Sequence, residues 1–199
     1  MKTKRPRAYL AGRMNRHIEF HSKWRDEITP FLTKMGFVVL NPYKLEPLQL
    51  KGLRPGRLPK GYKHWCELGD SDDPNLQERF KKYGRRIARF DINLVKKEMD
   101  IMVVVWDDDS PTGAGTQSEV TTAMMYDKTV YMVDMTKSVT IPLWIRWCVD
   151  DTFKSFDALK RFLSEEFGDS GELTEGIPTD ENDSDSTKSE SAIEITGKP

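Results

Sequence analysis

Cysteine and histidine are scarce in this sequence, and the few present form no recognisable ligand pattern. The chain has two cysteines, Cys66 and Cys148, and three histidines, His17, His21 and His64, in 199 residues. Neither cysteine belongs to a CxxC pair, and the histidines lack the spacing of metal ligands. We therefore predict no disulfide framework, no metal site and no cofactor, and the low cysteine usage favours a reducing cytoplasm.

Long apolar runs are also lacking. No stretch approaches the roughly 20 consecutive apolar residues that cross a bilayer. The basic start, residues 1–7, is followed by Ala-Tyr-Leu-Ala-Gly and not by a long apolar segment, so we expect no export signal. The sequence thus predicts a cytoplasmic protein without a membrane partner.

Residues 169–199 differ in composition from the rest of the chain. They hold nine Asp or Glu and two Lys, a net charge of −7, and because the whole chain carries −1, residues 1–168 carry +6. This segment has little to bury, which predicts a flexible acidic tail. With 37% hydrophobic residues overall, the chain is long enough for one core, so we expect a single domain over residues 1–168.

Short apolar runs alternate with helical periodicity along that domain. Strands are predicted at Arg7–Gly12, Phe37–Leu40, Asp100–Trp106 and Thr129–Val133. Apolar residues at helical spacing predict helices over residues 20–35, 76–94 and 156–167. Strands that alternate with helices predict an α/β fold, a doubly wound, flavodoxin/Rossmann-like parallel sheet of about five strands flanked by helices.

Prolines and glycines punctuate this pattern. Pro30 lies inside the first helical pattern and predicts a kink or a turn there. Asn41-Pro42 is a turn signal directly after the second strand, which we expect to be buried. Residues 43–84 contain four prolines and five glycines with little periodicity, which predicts a loop-rich insert.

The segment Pro111-Thr-Gly-Ala-Gly-Thr-Gln-Ser-Glu119 follows a continuous apolar run and leads into a helical pattern. Ligands of open α/β sheets bind outside the carboxyl ends of the strands, where glycines let backbone N–H groups approach a sugar or a phosphate. Glu119 is therefore the first candidate for chemistry. The structural alternative is a capping box, Thr116-Gln-Ser-Glu119, in which the glutamate would bind the N-cap amide of its own helix.

Several motifs together resemble nucleoside 2-deoxyribosyltransferase-like proteins over residues 8–165. They are Tyr9-Leu-Ala-Gly-Arg-Met14, Asn41-Pro42, Asp91, Gly115-Thr-Gln-Ser-Glu119 and Leu143-Trp-Ile-Arg146. The resemblance implies that Glu119 is a nucleophile that attacks C1′ of the sugar and that Asp91 lies near the base. It also implies a nucleoside or nucleotide substrate, a free nucleobase as partner, and a homo-oligomer.

Two carboxylates suit this chemistry. Breaking an N-glycosidic bond develops positive charge at C1′, while the departing base gains electrons and needs a proton or a hydrogen bond. A glycosyl ester on Glu119 would then be opened by a second base, which is transfer, or by water, which is hydrolysis. Asp91, however, stands nine residues before Asp100, one more than the resemblance leads us to expect, and one residue rotates a side chain by about 100° on an ideal helix.

The substrate is expected to bind around the predicted strand ends. Glycine backbone there accommodates the ribose or a 5′-phosphate, with Arg13 as a charge partner and Asp107 as a partner for a sugar hydroxyl. The predicted substrate-binding set is Gly12, Arg13, Met14, Asp107, Gly113, Gly115 and Thr116. For the run of aspartates at 107–109, a solvated turn is the stronger interpretation.

Other interpretations stay open. Pro111-x-Gly-x-Gly-Thr-x-x-Glu119 also resembles the phosphate-binding motif of lysine-decarboxylase-like phosphoribohydrolases, which favours a nucleoside 5′-monophosphate N-glycosidase. A noncatalytic nucleotide-binding or sensing module would use the same crevice while Glu119 caps its helix. The basic, partly aromatic stretch 51–89 lacks a recognised nucleic-acid module, so no nucleic-acid partner is predicted. Trp144 and Trp147 follow the last predicted strand, and we favour core over subunit contact for them.

Overall fold

The computed structural model describes residues 5–14, 19–49 and 69–168 of the chain, and for residues 19–21 and 46–49 it describes the backbone only. The chain divides into two units, Met1–Asp169 and Ser170–Pro199. The second unit, where the acidic tail is predicted, lies outside the described residues. None of the helices in the described ranges is long and apolar enough to cross a membrane.

Five parallel strands form one sheet in the order β2-β1-β3-β4-β5. The strands are β1 (Arg7–Ala11), β2 (Val38–Leu40), β3 (Ile101–Trp106), β4 (Thr129–Asp134) and β5 (Asp151–Phe153). The helices are α1 (Glu19–Lys34), α2 (Pro42–Gln49), α3 (Pro74–Asn93), α4 (Ala114–Met125), α5 (Leu143–Trp147) and α6 (Phe156–Phe167). A π-helical segment, Leu94–Glu98, follows α3, and a 3-10 turn, Ser110–Thr112, precedes α4. This architecture confirms the predicted doubly wound α/β fold.

The two faces of the sheet carry separate apolar cores. Because side chains alternate along a strand, Tyr9 and Ala11 of β1 pack toward one face while Ala8 and Leu10 pack toward the other. The first face is covered by α3, the π-helical segment, α4 and α5, and the second by α1 and α6. All six residues of β3 are buried, which explains their continuous apolar run.

The structure corrects two expectations about prolines. Of the kink or turn predicted at Pro30, the turn is wrong, because helix α1 continues through this residue, although its ring removes one backbone hydrogen bond. The kink stays a prediction. The buried stripe of Trp24, Ile28 and Leu32 holds this helix against the sheet and outweighs the missing bond. Pro42 starts α2 instead of a loop, because the Asn41 side chain accepts a hydrogen bond from the Tyr43 amide at 3.1 Å and caps the helix.

The predicted loop-rich insert, residues 43–84, is therefore helical at both ends, with α2 at its start and α3 from Pro74 onward. Its centre, residues 50–68, lies outside the described residues. Strand β2 is half-buried and not fully buried, because it is an edge strand of the sheet. Strand β5, the opposite edge, is missing from the sequence prediction because its three residues carry no apolar pattern.

The apolar segment after β4 divides between core and surface. Ile145 is buried, but Leu143, Trp144 and Trp147 are exposed, Trp147 to 67%. The prediction that the two tryptophans belong to the core is thus wrong. On a five-residue helix, α5, only the residues on one side can reach the sheet.

Candidate active site

Glu119 lies in the second turn of α4 and turns toward the sheet, where it meets Tyr9. The Tyr9 hydroxyl donates a hydrogen bond of 2.6 Å to Oε1 of Glu119. Tyr9 is the middle residue of β1, and its side chain belongs to the apolar cluster beneath α3 and α4. Glu119 is only 6% exposed, so this hydrogen bond forms in a largely dry environment.

The capping-box interpretation of Glu119 is wrong. Helix α4 begins at Ala114, and its N-cap residue is Gly113, which has no side chain to bond the first amides of the helix. Thr116 is therefore the third residue of the helix and not its N-cap, and Glu119 is the sixth residue and not N3. The Glu119 carboxylate is consequently used for Tyr9 and not for the amide at the start of the helix.

Asp91 lies near Glu119 and Tyr9 and acts on both. It is the buried residue of α3, and its charge raises the pKa of both Glu119 and Tyr9. The π-helical segment after α3 closes with a bond from the Met99 amide to the Leu94 carbonyl, five residues back. Such a segment takes up one extra residue without breaking the helix. This segment lies between Asp91 and Asp100.

The pKa of Glu119 is raised from 4.5 to about 8. Burial is the largest cause, because it disfavours the charged form, and the neighbouring charge of Asp91 acts in the same direction. The hydrogen bond from Tyr9 and the positive charge of Arg25 oppose this rise. The pKa of Tyr9 is raised well above 10, chiefly by burial and then by Glu119, so the phenol stays protonated and donates.

Tyr9 and Arg25 are site residues to which sequence reasoning gave no role. Tyr9 belongs to the motif at residues 9–14. Its position in the middle of a predicted buried strand indicates a role, because a buried tyrosine hydroxyl requires a hydrogen-bond partner. Arg25 gave no comparable signal, since an arginine on an amphipathic helix normally faces solvent. It is 0% exposed and lies at the carboxyl end of β1.

Gly12 and Arg13 lie where β1 ends. Gly12 has a φ of +148°, and a side chain there would come within 3.2 Å of both the Trp24 ring and the Val105 carbonyl, so glycine is required. Arg13 Nη1 donates to the Asp109 carbonyl at 2.8 Å and to the Thr112 hydroxyl at 3.0 Å. This contact fixes the end of β1 to the loop before α4.

The aspartates after β3 stabilise loops. Asp107 accepts hydrogen bonds from the Ser110 hydroxyl and the Asp109 amide, as in a turn. Asp108 accepts from the amides of residues 137–139 that follow β4, and the amides of Lys137 and Ser138 lower its pKa. Asp108 thus lies in the predicted turn, and it also connects the loops after two neighbouring strands.

The remaining predicted binding residues differ in exposure. Thr116 is buried in the first turn of α4, and Gly115 is exposed with no atom within 4 Å of the position of an added Cβ. Met14 is half-buried and precedes residues 15–18, which lie outside the described ranges. Gly113 caps α4, and a Cβ there would approach the Ser110 carbonyl to 3.2 Å.

A cleft of about 450 Å³ lies on the outer surface of α4, and Glu119 does not line it. It is formed by Ala114, Gln117, Ser118, Thr121, Thr122 and Trp144. Within the described ranges, no group of three or more His, Cys, Asp or Glu side chains is arranged to hold a metal ion.

Comparison with known proteins gives distant structural likeness only. No protein-family model and no curated protein matches the chain. Among solved structures, the chain is similar to the 2-deoxyribosyltransferase of the psychrotolerant bacterium Bacillus psychrosaccharolyticus, with 17% identity and a TM-score of 0.46. The alignment covers 77% of this chain and 90% of that one. A likeness this distant carries no functional argument, so function has to be argued from the cluster around Glu119.

Proposed function

We propose that this protein cleaves or transfers the N-glycosidic bond of a nucleoside or nucleotide through a covalent glycosyl-Glu119 intermediate, most specifically as a nucleoside 2-deoxyribosyltransferase. The observation that carries the proposal is the buried cluster in which Glu119 accepts a hydrogen bond from Tyr9 beside Asp91. A glutamate held by a side chain, and not by its own helix, keeps one carboxylate oxygen for attack. The motif resemblance supplies the substrate class.

The reaction has two steps. The Glu119 carboxylate forms a bond to C1′ as the bond between C1′ and the base nitrogen breaks, and the base takes the electron pair and a proton from Asp91. A nitrogen of a second base, or water, then attacks C1′, breaks the ester and frees the Glu119 carboxylate, while its proton returns to Asp91. Tyr9 holds Oε1 of Glu119, which orients the other oxygen toward the sugar.

The electrostatics of the cluster set the pH at which the first step runs. Burial and the neighbouring charge of Asp91 raise the pKa of Glu119 to about 8, so Glu119 is mostly protonated at neutral pH and becomes mostly ionised as pH rises through that value. Attack on C1′ requires the ionised form.

Substrate is proposed to approach from the carboxyl edge of the sheet. Glu119 is buried and does not line the cleft on the outer surface of α4, so that cleft is not the assigned site. At the carboxyl edge, Gly12 and Gly113 leave backbone without side chains, and Arg13 supplies a positive charge that is partly exposed. The substrate-binding roles of Gly12, Arg13, Met14, Asp107, Gly113, Gly115 and Thr116 remain part of this proposal.

The experiment is a base-exchange assay. The protein is incubated with each common deoxynucleoside and ribonucleoside, with and without a 5′-phosphate, plus a different free base, and products are separated by chromatography. The proposal expects a new nucleoside, and Glu119→Gln should reduce its formation by at least about 1,000-fold. Release of free base and sugar alone would indicate hydrolysis instead of transfer.

Two rivals have observations in their favour. The charge of Arg13 beside the loop before α4 favours a 5′-monophosphate N-glycosidase, which would require the phosphate and release free base. The burial of Glu119 favours a noncatalytic nucleotide-binding module. That module would bind nucleotide equally well as wild type and as Glu119→Gln, with no turnover of any substrate by the wild type.

We also propose that the chain forms a homo-oligomer through the surface around α5. The large apolar residues that the described structure exposes lie at the end of α4 and on α5, and these two helices pack together. They are Met124, Met125, Tyr126, Leu143, Trp144 and Trp147. A group of this size exposed to water is typical of a protein contact surface.

A further inference from the structure

The outer side of α3 carries a dense group of basic side chains. Five Lys and Arg residues lie within nine consecutive positions of the helix, and all five are exposed. The α3 basic face consists of Lys81, Lys82, Arg85, Arg86 and Arg89. At about 100° of rotation per residue, these five side chains occupy an arc of about 140° around the helix axis. They therefore form one continuous positive surface.

Within the described ranges, no acidic side chain pairs with the α3 basic face. The salt bridges in that part of the chain all involve other basic residues. Residues 79–90 contain no Asp or Glu, and Glu78 lies at one end of the face. Like charges three or four residues apart destabilise an exposed helix, so an anion that covered this face would remove a repulsion.

The opposite side of α3 is occupied by the protein itself. Phe90 packs against the apolar core beneath the helix, and Asp91 is buried on that side. A basic amphipathic helix binds a membrane by burying its apolar side in the lipid. Because α3 uses its apolar side to cover the sheet, the helix offers a partner its charges and no apolar anchor.

The composition of the exposed side favours a nucleic acid over a protein partner. The other exposed residues of α3 are Pro74, Asn75, Glu78, Ala88 and Asn93, none of which has a large apolar side chain. Protein–protein contacts are enriched in aromatic residues and Met and depleted in Lys, whereas interfaces with nucleic acids are strongly positive. Arg binds a phosphate through two hydrogen bonds, and Lys binds it as a point charge.

We propose that the α3 basic face binds the phosphate backbone of a nucleic acid, independently of base sequence. The proposal does not rest on the reaction assigned to Glu119. The sequence alone predicts no nucleic-acid partner, because residues 51–89 match no recognised module. The structure adds that five basic residues of this stretch share one exposed surface, and contacts to phosphates need no module that reads bases.

The test measures binding of the full chain to fluorescein-labelled DNA and RNA single strands of about 20 nucleotides, and to a DNA duplex of the same length. Fluorescence anisotropy gives the affinity for each probe between about 50 and 200 mM salt. The α3 variant is Lys81→Gln/Arg85→Gln/Arg89→Gln, which removes three charges that lie four residues apart.

A matched control removes three exposed charges from the other side of the sheet. It is Lys23→Gln/Lys34→Gln/Arg161→Gln, with two substitutions on α1 and one on α6. Both variants have the same net charge, so a difference between them reports where the charges lie. Gln and the residues it replaces have similar helix propensity, and the α3 variant should melt at or above the temperature of the wild type.

The wild type should bind at least one probe with a Kd of about 1 µM or tighter at about 50 mM salt, and the preferred probe identifies the kind of nucleic acid. If five phosphates are contacted, a plot of log affinity against log salt should have a slope of about −3.5 for a single strand and about −4.5 for the duplex. The α3 variant should bind at least about tenfold more weakly, with a slope smaller by about two to three.

The control variant should stay within about twofold of the wild-type affinity and about half a unit of its slope. If the α3 variant does not fold, the single variant Arg89→Gln should still reduce the slope by about 0.7 to 0.9. Substitutions on the α3 basic face should leave any turnover of free nucleosides unchanged.

The proposal is overturned if no probe binds, or if the α3 variant, or Arg89→Gln in its place, binds like the wild type. It is also overturned if the control variant loses as much affinity as the α3 variant, since the effect would then come from net charge. Polyglutamate of matched charge that displaces the probe as well as unlabelled nucleic acid does would assign the face to acidic proteins. Binding to phosphatidylserine vesicles alone would assign it to a membrane, and either result contradicts the proposal.

Discussion

Three side chains from three different elements set the chemistry available to Glu119. Tyr9 donates a hydrogen bond, Asp91 adds a repelling charge and Arg25 adds an attracting one. Burial makes each of these contributions stronger than it would be in water. The ionisation of Glu119 is therefore the quantity on which single substitutions at the site should act.

Tyr9→Phe removes the hydrogen bond that favours the ionised form of Glu119. A hydrogen bond to a charged group contributes about 1.5–3 kcal/mol, so the pKa of Glu119 should rise by about one to two units. In a profile of kcat/KM against pH, the wild type should rise to a plateau above about pH 8, and Tyr9→Phe should reach its plateau at correspondingly higher pH. Tyr131→Phe, at a buried tyrosine on the opposite face of the sheet, is the control and should leave the midpoint unchanged.

Glu119→Gln should change how stability depends on pH. The folded pKa of Glu119, about 8, lies above its usual value of 4.5, so the stability linked to its proton is fully present below pH 4.5 and is lost as pH rises through 8. This loss is on the order of 5 kcal/mol. Glutamine has no such titration, so the variant should match the wild type near pH 5 and exceed it near pH 9.

Urea unfolding of both proteins at several pH values measures this difference. Glu78→Gln, the same change at an exposed position of α3, is the matched control. Equal pH dependence in wild type and Glu119→Gln would mean that Glu119 is not the buried acid described above.

Among the elements, α3 and the π-helical segment decide which side chain of the helix faces α4. The segment is anchored where Met99 and Asp100 lead into β3, and Asp100 is tied to β1 by hydrogen bonds in both directions with Arg7. With its carboxyl end fixed, any change in the number of residues between α3 and β3 must turn α3. Asp91 depends on that register.

Deletion of Lys97, an exposed residue of the segment, should convert the π-helical turn into an ordinary α-helical turn. Asp91 would then rotate by about 100° away from Glu119, and the Glu119 midpoint should fall to the value of Asp91→Asn. NMR titration measures this, with Lys97→Ala as the control for loss of the side chain. A deletion variant that folds and keeps the wild-type midpoint would contradict the assigned register.

The sequence predicts elements better than contacts. Continuous apolar runs and helical periodicity correctly located four strands and most helices, because burial leaves a direct pattern in residue type. The sequence does not predict helix α2, because Asn41-Pro42 indicates a turn, although proline also suits the first position of a helix. The capping-box pattern places the N-cap of α4 at Thr116, whereas the helix begins at Ala114. The alternative role of Glu119 as a capping residue depends on that wrong start.

The site was predicted only in part for a physical reason. Glu119 and Asp91 belong to motifs, but residues that change the pKa of Glu119 come from distant parts of the chain, such as Arg25 on α1. No local pattern distinguishes a buried arginine from an exposed one on the same helix. Whether Arg25 is buried depends on how α1 packs at the end of β1, and that is a property of the tertiary structure.

On the scale of the whole molecule, the described fold places candidate chemistry and apolar surface on the same side of the sheet. The buried cluster around Glu119 lies beneath α3 and α4, and the exposed tryptophans of α5 belong to the adjoining surface. Light scattering after size exclusion should give at least twice the monomer mass of 23.0 kDa for the wild type. A wild-type mass of one chain would contradict the proposed assembly.

Trp147→Glu should shift that mass toward the monomer, because it puts a charge into the proposed contact surface. Lys34→Glu, at an exposed position of α1, is the control and should leave the mass unchanged. If both variants keep the oligomeric mass, the contact lies elsewhere on the protein.

The central claim is that Glu119 forms a covalent bond with the sugar, and mass spectrometry with nucleosides that carry fluorine at C2′ tests it most directly. Fluorine withdraws electrons and slows the opening of a glycosyl ester, so the ester should accumulate. Across a panel of bases, with and without a 5′-phosphate, the account predicts a mass gain of one fluorinated sugar on the peptide containing Glu119, and none in Glu119→Gln. A sugar attached to another residue, or no adduct and no turnover with any member of the panel, would contradict it.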